Sequence, residues 1–136
     1  MQQSVSPARV PNGFVRAFDA VAFAGVNGPL FLAKDPVRVG FHVTRRHLDA
    51  TGHCHAGMLA FAADLLLIVV GREHNPALGF TTTISLTGDC LAPAKAGDWV
   101  EGTGEGVHVD GRTYVAQGLF RVGDTPVYRT NGVFRG

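Results

Sequence analysis

The sequence predicts an α+β domain in which an antiparallel β-sheet wraps around one long central helix. One observation is a 13-residue stretch, Met58 to Val70, whose apolar residues fall on every face of a helix. Another is the strand-like character of the chain after Pro76, where hairpin signals separate the apolar runs. A helix that is apolar all round needs a cover, and hairpins supply one without crossover connections.

The first third of the chain predicts a loose arm followed by a hairpin. Residues 1–12 are polar and are expected to form a flexible arm. Phe14 to Gly28 alternates imperfectly between apolar and polar residues, which leaves both helix and strand open there. Leu30 to Ala33 and Val37 to Thr44 alternate with a period near two. Asp35-Pro36 between them is typical of a turn, so these two runs are predicted to pair.

The central helix is predicted to begin near His55, because alanine, leucine and methionine follow in numbers that favour a helix. Gly71 is a plausible end, since glycine commonly terminates helices. Because the apolar residues form no single stripe, we expect the rest of the domain to enclose this helix.

Four antiparallel strands are predicted after the helix. The first is rich in β-branched residues, and the others are separated by turn residues. Asp110-Gly111 indicates a type I′ hairpin, and Gly123-Asp124 a second turn. The predicted strands are Phe80 to Thr87, Trp99 to Val109, Thr113 to Val122 and Val127 to Phe134.

Length and composition predict one globular domain, over residues 13–136, with a core of its own. The formal net charge of +1 gives no basic field for nucleic acid or a membrane surface. The two cysteines, Cys54 and Cys90, form no CxxC pair, which fits a reducing compartment. The N-terminus lacks a secretory signal, and the apolar run is too short to span a membrane. We therefore expect a soluble, cytoplasmic protein.

Asp64 is an unusual residue because it interrupts the apolar helix. An ionised carboxylate among leucines and valines costs several kcal/mol unless it is hydrogen-bonded or neutral. A polar cluster, His47-Leu-Asp-Ala-Thr-Gly-His-Cys-His-Ala-Gly57, lies just before that helix. The combination points to a reactive or ligand-facing role for Asp64, with a narrow solvated face as the plainer alternative.

The segment from His47 to Asp64 resembles the signature of PaaI-like hotdog-fold acyl-CoA thioesterases. That signature has an asparagine, a glycine three residues later, His-Gly-Gly, and an acidic residue nine positions after the histidine. Four positions match it at those spacings: Gly52, His55, Gly57 and Asp64. Gly28-Pro-Leu-Phe31 and Ala92-Pro-Ala-Lys95 also resemble family features, so the likeness extends from about residue 28 to the end.

The resemblance implies a hotdog fold, no cofactor, and a role for each matching residue. Asp64 would activate water or attack the thioester carbonyl, and His55 would orient the loop or contact the thioester. The backbone N–H of Ala56 would stabilise the oxyanion, with Thr83 helping to position water. A helix start suits the oxyanion role because its N–H groups are free and its dipole end is positive. Further candidates for substrate contacts are His47, Gly57, Phe61 and Phe80.

Helix geometry separates His55 from Asp64. Nine residues correspond to about two and a half turns, so the side chains face opposite sides roughly 13 Å apart along the axis. A two-fold dimer would bring His55 of one protomer to Asp64 of the other, and composite sites are also what the resemblance implies. We therefore expect a homodimer, which would further assemble into a homotetramer.

Asp49 departs from the family pattern, because a carboxylate cannot donate the hydrogen bond that asparagine offers a thioester oxygen. It would instead pair with His47, His53 or His55, or stay protonated. Two alternatives stay open besides thioester hydrolysis. One is a hotdog dehydratase or hydratase acting on acyl thioesters, which would use His55 with Asp64. The other is a dimer that binds acyl-CoA without turnover, which Asp49 and Ala56 would support. A metal site is not predicted, because the cluster lacks the distant second pair of ligands that zinc sites use.

Overall fold

The computed structural model describes residues 9–136, so most of the predicted N-terminal arm lies outside the described residues. The described chain forms two α-helices and seven β-strands, with short 3₁₀ turns at Arg45–His47 and Pro76–Leu78. In chain order the elements are β1 (Val15–Ala17), α1 (Ala22–Asn27), β2 (Leu30–Ala33), β3 (Arg38–His42), α2 (Ala56–His74), β4 (Thr82–Cys90), β5 (Trp99–Asp110), β6 (Thr113–Val122) and β7 (Thr125–Arg135).

The strands form one antiparallel sheet in the order β1-β2-β3-β5-β6-β7-β4. The predicted first hairpin is confirmed, since Leu32 of β2 lies opposite Val39 of β3. The sheet packs around α2, which contacts β3, β4, β5, β6 and β7. The predicted α+β architecture is therefore confirmed.

The hairpin between β5 and β6 forms where predicted but with a different turn. Asp110 pairs with Thr113, so Gly111 and Arg112 are the two loop residues. Of these two, only Gly111 has a positive φ, of 59°. A type I′ turn needs positive φ at both central positions, whereas type II′ needs it at the first, where glycine is favoured. The type I′ prediction is therefore wrong, because arginine does not readily adopt left-handed backbone.

The segment Phe14 to Gly28, for which the sequence left helix and strand open, contains one of each. The three-residue strand β1 forms the far edge of the sheet beside β2. The six-residue helix α1 follows, and Ala24 is its one buried residue. An element this short buries too little of its own surface to be stable alone. It therefore depends on contacts from elsewhere in the chain.

Helix α2 begins at Ala56, as predicted, but it continues three residues beyond the predicted end at Gly71. Gly71 instead packs against Tyr114, whose hydroxyl donates to the carbonyl of Leu67 at 3.3 Å. A Cβ at Gly71 would lie 2.1 Å from the Tyr114 ring, so close packing explains this glycine better than helix termination. No helix in the described part of the chain is long and apolar enough to cross a membrane.

Glycines in the sheet let α2 approach closely. An added Cβ at Gly118 would come within 3.0 Å of Leu66, and one at Gly132 within 3.1 Å of Leu67. Both leucines are fully buried. The absence of side chains on this part of the sheet therefore creates the space that α2 fills, and core packing fixes where the helix lies.

One stripe of α2 is only partly covered, which corrects the expectation of a fully enclosed helix. Gly57 is exposed, and Phe61, Asp64 and Ile68 are half-buried, whereas the positions between them are largely buried. These four residues recur at spacings of three and four, so they share one face of the helix. Asp64 therefore lies on an open stripe and not in a closed core.

Strand β4 lies at the other edge of the sheet and, among the described strands, pairs only with β7. It begins two residues later than predicted, because Phe80 lies outside the strand and is 85% exposed. Ile84 within the strand and Leu91 just after it are also exposed. This edge therefore combines unpaired backbone groups with apolar side chains.

Candidate active site at the start of the central helix

The start of α2 has one backbone N–H without an acceptor. The first N–H groups of a helix have no partner inside the helix. Here Gly57 donates to the His55 side chain at 2.7 Å, and Met58 and Leu59 both donate to the His55 carbonyl. Within residues 9–136, no acceptor lies in hydrogen-bond range of the Ala56 N–H. This group can therefore donate to a ligand placed at the positive end of the helix.

His55 is the N-cap of α2, and its ring is held by the backbone. Because Nδ1 accepts from Gly57 N–H, the neutral ring carries its proton on Nε2, which is the nitrogen turned away from the helix. An added Cβ at Gly57 would lie 3.0 Å from that Nδ1. Glycine at this position therefore leaves room for the cap. The Nε2–H of the His55 ring is therefore a second free donor at the start of α2, in addition to the Ala56 N–H.

Asp64 is connected to the edge strand. The hydroxyl of Thr83 on β4 donates to Asp64 Oδ1 at 2.5 Å. Both side chains are half-buried. This places two of the predicted site residues together, and Thr83 fixes the orientation of the carboxylate. The second oxygen, Oδ2, has no hydrogen-bond partner among the described residues.

Asp64 and the helix start share a face but are far apart. His55 has extended backbone and precedes the helix, so the opposite-sides argument from helical periodicity does not apply to it. Gly57 instead lies on the Asp64 stripe, seven residues away, which is roughly 10 Å along the axis. One protomer therefore does not bring Asp64 to the free N–H of Ala56.

Asp49 is ionised and used by its own loop. Its Oδ1 accepts from the N–H of Thr51 at 2.8 Å, from the Thr51 hydroxyl at 2.6 Å and from the N–H of His53 at 3.2 Å. The Thr51 hydroxyl is the largest cause that holds the pKa of Asp49 below its usual value. Of the alternatives considered from sequence, a protonated donor is thus disfavoured, and the pairing is with the backbone of His53.

His47 is a buried anchor, only 3% exposed. Its Nδ1 accepts from the N–H of Thr44 at 3.0 Å, so Nε2 carries the proton and donates to the carbonyl of Asn27 at 2.5 Å. Burial is the main cause that lowers the pKa of His47. Both ring nitrogens are therefore occupied by the protein, and the ring offers no donor to a substrate.

Two cavities flank the start of α2. The first, which we call the α1-side cavity, has a volume of about 250 Å³ and is lined by residues that include His55, Gly57 and Phe61. It is also lined by Arg46 and by Phe23, and sequence reasoning missed Phe23 because nothing in the pattern linked α1 to the helix start. Phe80, by contrast, does not line this cavity.

The second, the β4-side cavity, has a volume of about 310 Å³ and lies on the other side of the helix start. The residues that line it include Asp49, His53, Cys54 and Ala56, together with the chain that follows β4. Burial is the main cause that raises the pKa of the Cys54 thiol to about 12, so this cysteine is not a ready nucleophile. Across the described residues, no three His, Cys, Asp or Glu side chains gather as a metal ion would need.

A comparison with protein families matches residues 51–128 to the thioesterase superfamily. The matched region covers the site loop, α2 and most of the following strands. No match is found among curated proteins.

Solved structures with the same fold agree with the family match. An asparagine-to-aspartate variant of the phenylacetic acid degradation protein PaaI from Thermus thermophilus is 25% identical, with a TM-score of 0.74, covering 85% of this chain and 99% of that one. PaaI from the phenylacetic acid degradation operon of E. coli is 24% identical, with a TM-score of 0.64, covering 73% and 70%. A Bacillus halodurans protein solved with CoA is 16% identical, with a TM-score of 0.66, covering 72% and 65%. These similarities confirm the resemblance to PaaI-like hotdog proteins and the predicted fold.

Proposed function

The chain belongs to the thioesterase superfamily and is a thioester hydrolase, and we propose that it hydrolyses acyl-CoA at a site shared by two protomers. The observation that carries this proposal is the free N–H of Ala56 at the start of α2. An N–H at a positive helix end can stabilise the oxyanion that forms when a thioester carbonyl is attacked. The Bacillus halodurans protein solved with CoA supports CoA as the carrier of the acyl group.

Asp64 is the proposed base or nucleophile. Thr83 occupies its Oδ1, so Oδ2 is available to take a proton from water or to attack the carbonyl itself. In the first route, hydroxide adds to the carbonyl carbon, and the oxyanion accepts from Ala56 N–H. The intermediate then expels the CoA thiolate, which takes the proton from Asp64. In the second route Asp64 Oδ2 attacks the carbonyl carbon, the C–S bond breaks, and the CoA thiolate leaves an acyl-aspartyl anhydride behind. Water then cleaves the anhydride to the free acid and protonated Asp64, which returns its proton to the thiolate.

A second copy of the chain is the proposed source of the missing half of the site. The open stripe of α2 adjoins the free edge of β4, since Asp64 on the stripe bonds to Thr83 on the strand. A two-fold axis beside this surface would run two α2 helices antiparallel and bring Asp64 of one protomer to Ala56 of the other. The same contact would cover exposed Ile84. Assembly of two such dimers into a homotetramer remains a prediction.

Complementation between inactive variants tests the shared site. We expect Asp64→Asn to lower turnover at least ~100-fold, the scale of losing a catalytic base. His55→Ala should also impair turnover, because it removes the cap and donor beside Ala56. After the two variants are mixed and allowed to exchange subunits, each mixed dimer has one intact site. Since about half of the dimers are mixed, activity should recover to about a quarter of wild type.

The control mixes Asp64→Asn with Asp64→Ala, which cannot rebuild a site in any pairing. If Asp64→Asn alone retains full turnover, the proposed chemistry is wrong. If the first mixture recovers nothing although subunits exchange, the shared site is wrong. CoA release can be followed with a chromogenic thiol reagent in a Cys90→Ser background, since Cys90 is exposed and would react. Phenylacetyl-CoA is the first substrate to test, because the PaaI proteins are described as phenylacetic acid degradation proteins.

Binding without turnover is the second candidate function, and ionised Asp49 favours it. A carboxylate that lines the same cavity as Ala56 would repel a developing oxyanion, whereas an intact thioester carries no charge to repel. Measurable acyl-CoA binding without thiol release would support this function. Loss of absorbance at an enoyl double bond without thiol release would instead support a hydratase.

A further inference from the structure

The end of α1 is held by two adjacent side chains from the turn before the site loop. Arg46 donates to the carbonyl of Val26 at 2.8 Å and to that of Gly28 at 2.9 Å. His47 donates to the carbonyl of Asn27, which lies between them. Three consecutive carbonyls are thereby satisfied. Since the last carbonyls of a helix have no partners within it, these bonds fix where α1 ends.

His47, which makes the middle one of these bonds, is itself held in place by the protein. His47 is buried, and its Nδ1 accepts from the backbone of Thr44 while its ring packs edge-on against Phe41 at 5.6 Å between centroids. The anchor and His55 are connected as well, because the N–H of His55 donates to the carbonyl of His47 at 2.7 Å. The position of α1 is therefore tied to the start of α2.

Phe23 is the side chain that this arrangement places at the α1-side cavity, beside the start of α2. It stands edge-on to Phe61 of α2, with ring centroids 4.7 Å apart and an angle of 85° between the planes. The two rings form part of the wall of the α1-side cavity, which His55 and Gly57 also line. Phe23 is nevertheless 60% exposed, so burial in the core does not explain a phenylalanine here.

We propose that Phe23 limits the size of the acyl group in the α1-side cavity, and that Arg46 and His47 are positioning residues that hold it there. This inference rests on the proposed function. Phe23 and Phe61 line this cavity together, so their packed rings narrow the space that an acyl group would enter. We expect the Phe23 ring to favour a compact acyl group over a long straight chain.

Binding of acyl-CoAs of graded chain length tests the inference, in an Asp64→Asn background so that thioesters persist. Calorimetry would give the ratio of dissociation constants for dodecanoyl-CoA and butanoyl-CoA. Phe23→Ala should shift this ratio about tenfold or more toward the long chain, as expected when a pocket gains room for methylenes. Arg46→Ala should shift it in the same direction, since α1 is then released.

Matched controls lie beside both residues. Val26→Ala changes an exposed side chain of the same helix that does not line the cavity, and Arg45→Ala removes a neighbouring cation that makes no side-chain hydrogen bond within residues 9–136. Both should leave the ratio unchanged. Circular dichroism and size-exclusion chromatography would verify that each variant keeps its fold and assembly.

An unchanged ratio in Phe23→Ala overturns the inference, as does an equal shift in Val26→Ala. Loss of assembly in Phe23→Ala also overturns it, because the ring would then belong to a protein interface. If no acyl-CoA binds, the α1-side cavity does not hold an acyl group and the inference is also overturned. Failure of the proposed chemistry gives a different result, because Asp64→Asn would then still release CoA. The ratio of dissociation constants could still be measured in that case, from binding before the thioester is hydrolysed.

Discussion

Ala56 and Asp49 border the same cavity and act in opposite directions on a negative charge placed there. The free N–H of Ala56 would stabilise an oxyanion, whereas the ionised carboxylate of Asp49 would destabilise it. The resemblance places an asparagine at position 49, which adds a donor and removes the charge. The balance between these two residues therefore governs how efficiently this site hydrolyses a thioester.

At residue 49 we expect Asp49→Asn to raise kcat/KM for an acyl-CoA about 100-fold, the lower end of the effect of one oxyanion donor. The amide oxygen can keep the bonds from Thr51 and His53, so the loop should retain its shape. Steady-state kinetics would measure the change. Asp49→Ala is the control, because it removes the charge together with the loop acceptor and should not give the same gain. A fall in kcat/KM for Asp49→Asn would show that the carboxylate has a role of its own.

At the scale of elements, α1 is held by partners about twenty residues further along the chain. Its own six residues bury one alanine, so its stability depends on the bonds from Arg46 and His47 and on the packing of Phe23 against Phe61. Protonation of His47 would place a proton on Nδ1, where it would face the N–H of Thr44 and end that hydrogen bond. The anchor of α1 should therefore weaken in acid.

Stability against pH tests this anchor. Burial lowers the pKa of His47 below its ordinary 6.5, so the unfolded chain binds the proton more readily than the folded one. The contribution of His47 to the free energy of unfolding should then be fully present above pH 6.5, and it should be lost as the pH falls through the pKa of His47 in the folded protein. Urea unfolding of wild type and His47→Gln would show a flatter pH dependence in the variant. The exposed His108→Gln is the control, and an equal flattening there would contradict the assignment.

The difference between α1 and α2 explains what could be predicted from the sequence. The stretch from Met58 to Val70 is long enough for its composition to predict a helix, and turn residues predict the hairpins that cover it. The six residues of α1 contain less than two turns, so no periodicity distinguishes helix from strand. Its contacts with Arg46 and Phe61 are long-range, and a single sequence does not display them. Motif spacing thus indicated Ala56, His55 and Asp64, while Phe23 needed the fold.

At the scale of the whole molecule, the open stripe of α2 and the free edge of β4 form one continuous surface. An exposed edge strand with apolar side chains invites pairing with another chain unless it is covered. The described protomer leaves this edge uncovered and also separates Asp64 from the helix start by roughly 10 Å. Pairing of two copies would satisfy both features with a single interface.

A charge on the β4 edge tests that interface. We expect Ile84→Lys to shift the protein from dimer to monomer and to abolish turnover, because a lysine ammonium is costly to bury between two apolar edges. Sedimentation equilibrium would measure the assembly. Val107→Lys is the matched control: Val107 is 56% exposed against 59% for Ile84, and both lie at register shifts in their strands. Val107 belongs to β5, which β6 and β7 separate from β4 in the sheet, so its variant should keep the dimer and its activity. A fully active monomeric Ile84→Lys would mean that one protomer completes the site alone, and Asp64 would then need a partner other than Ala56.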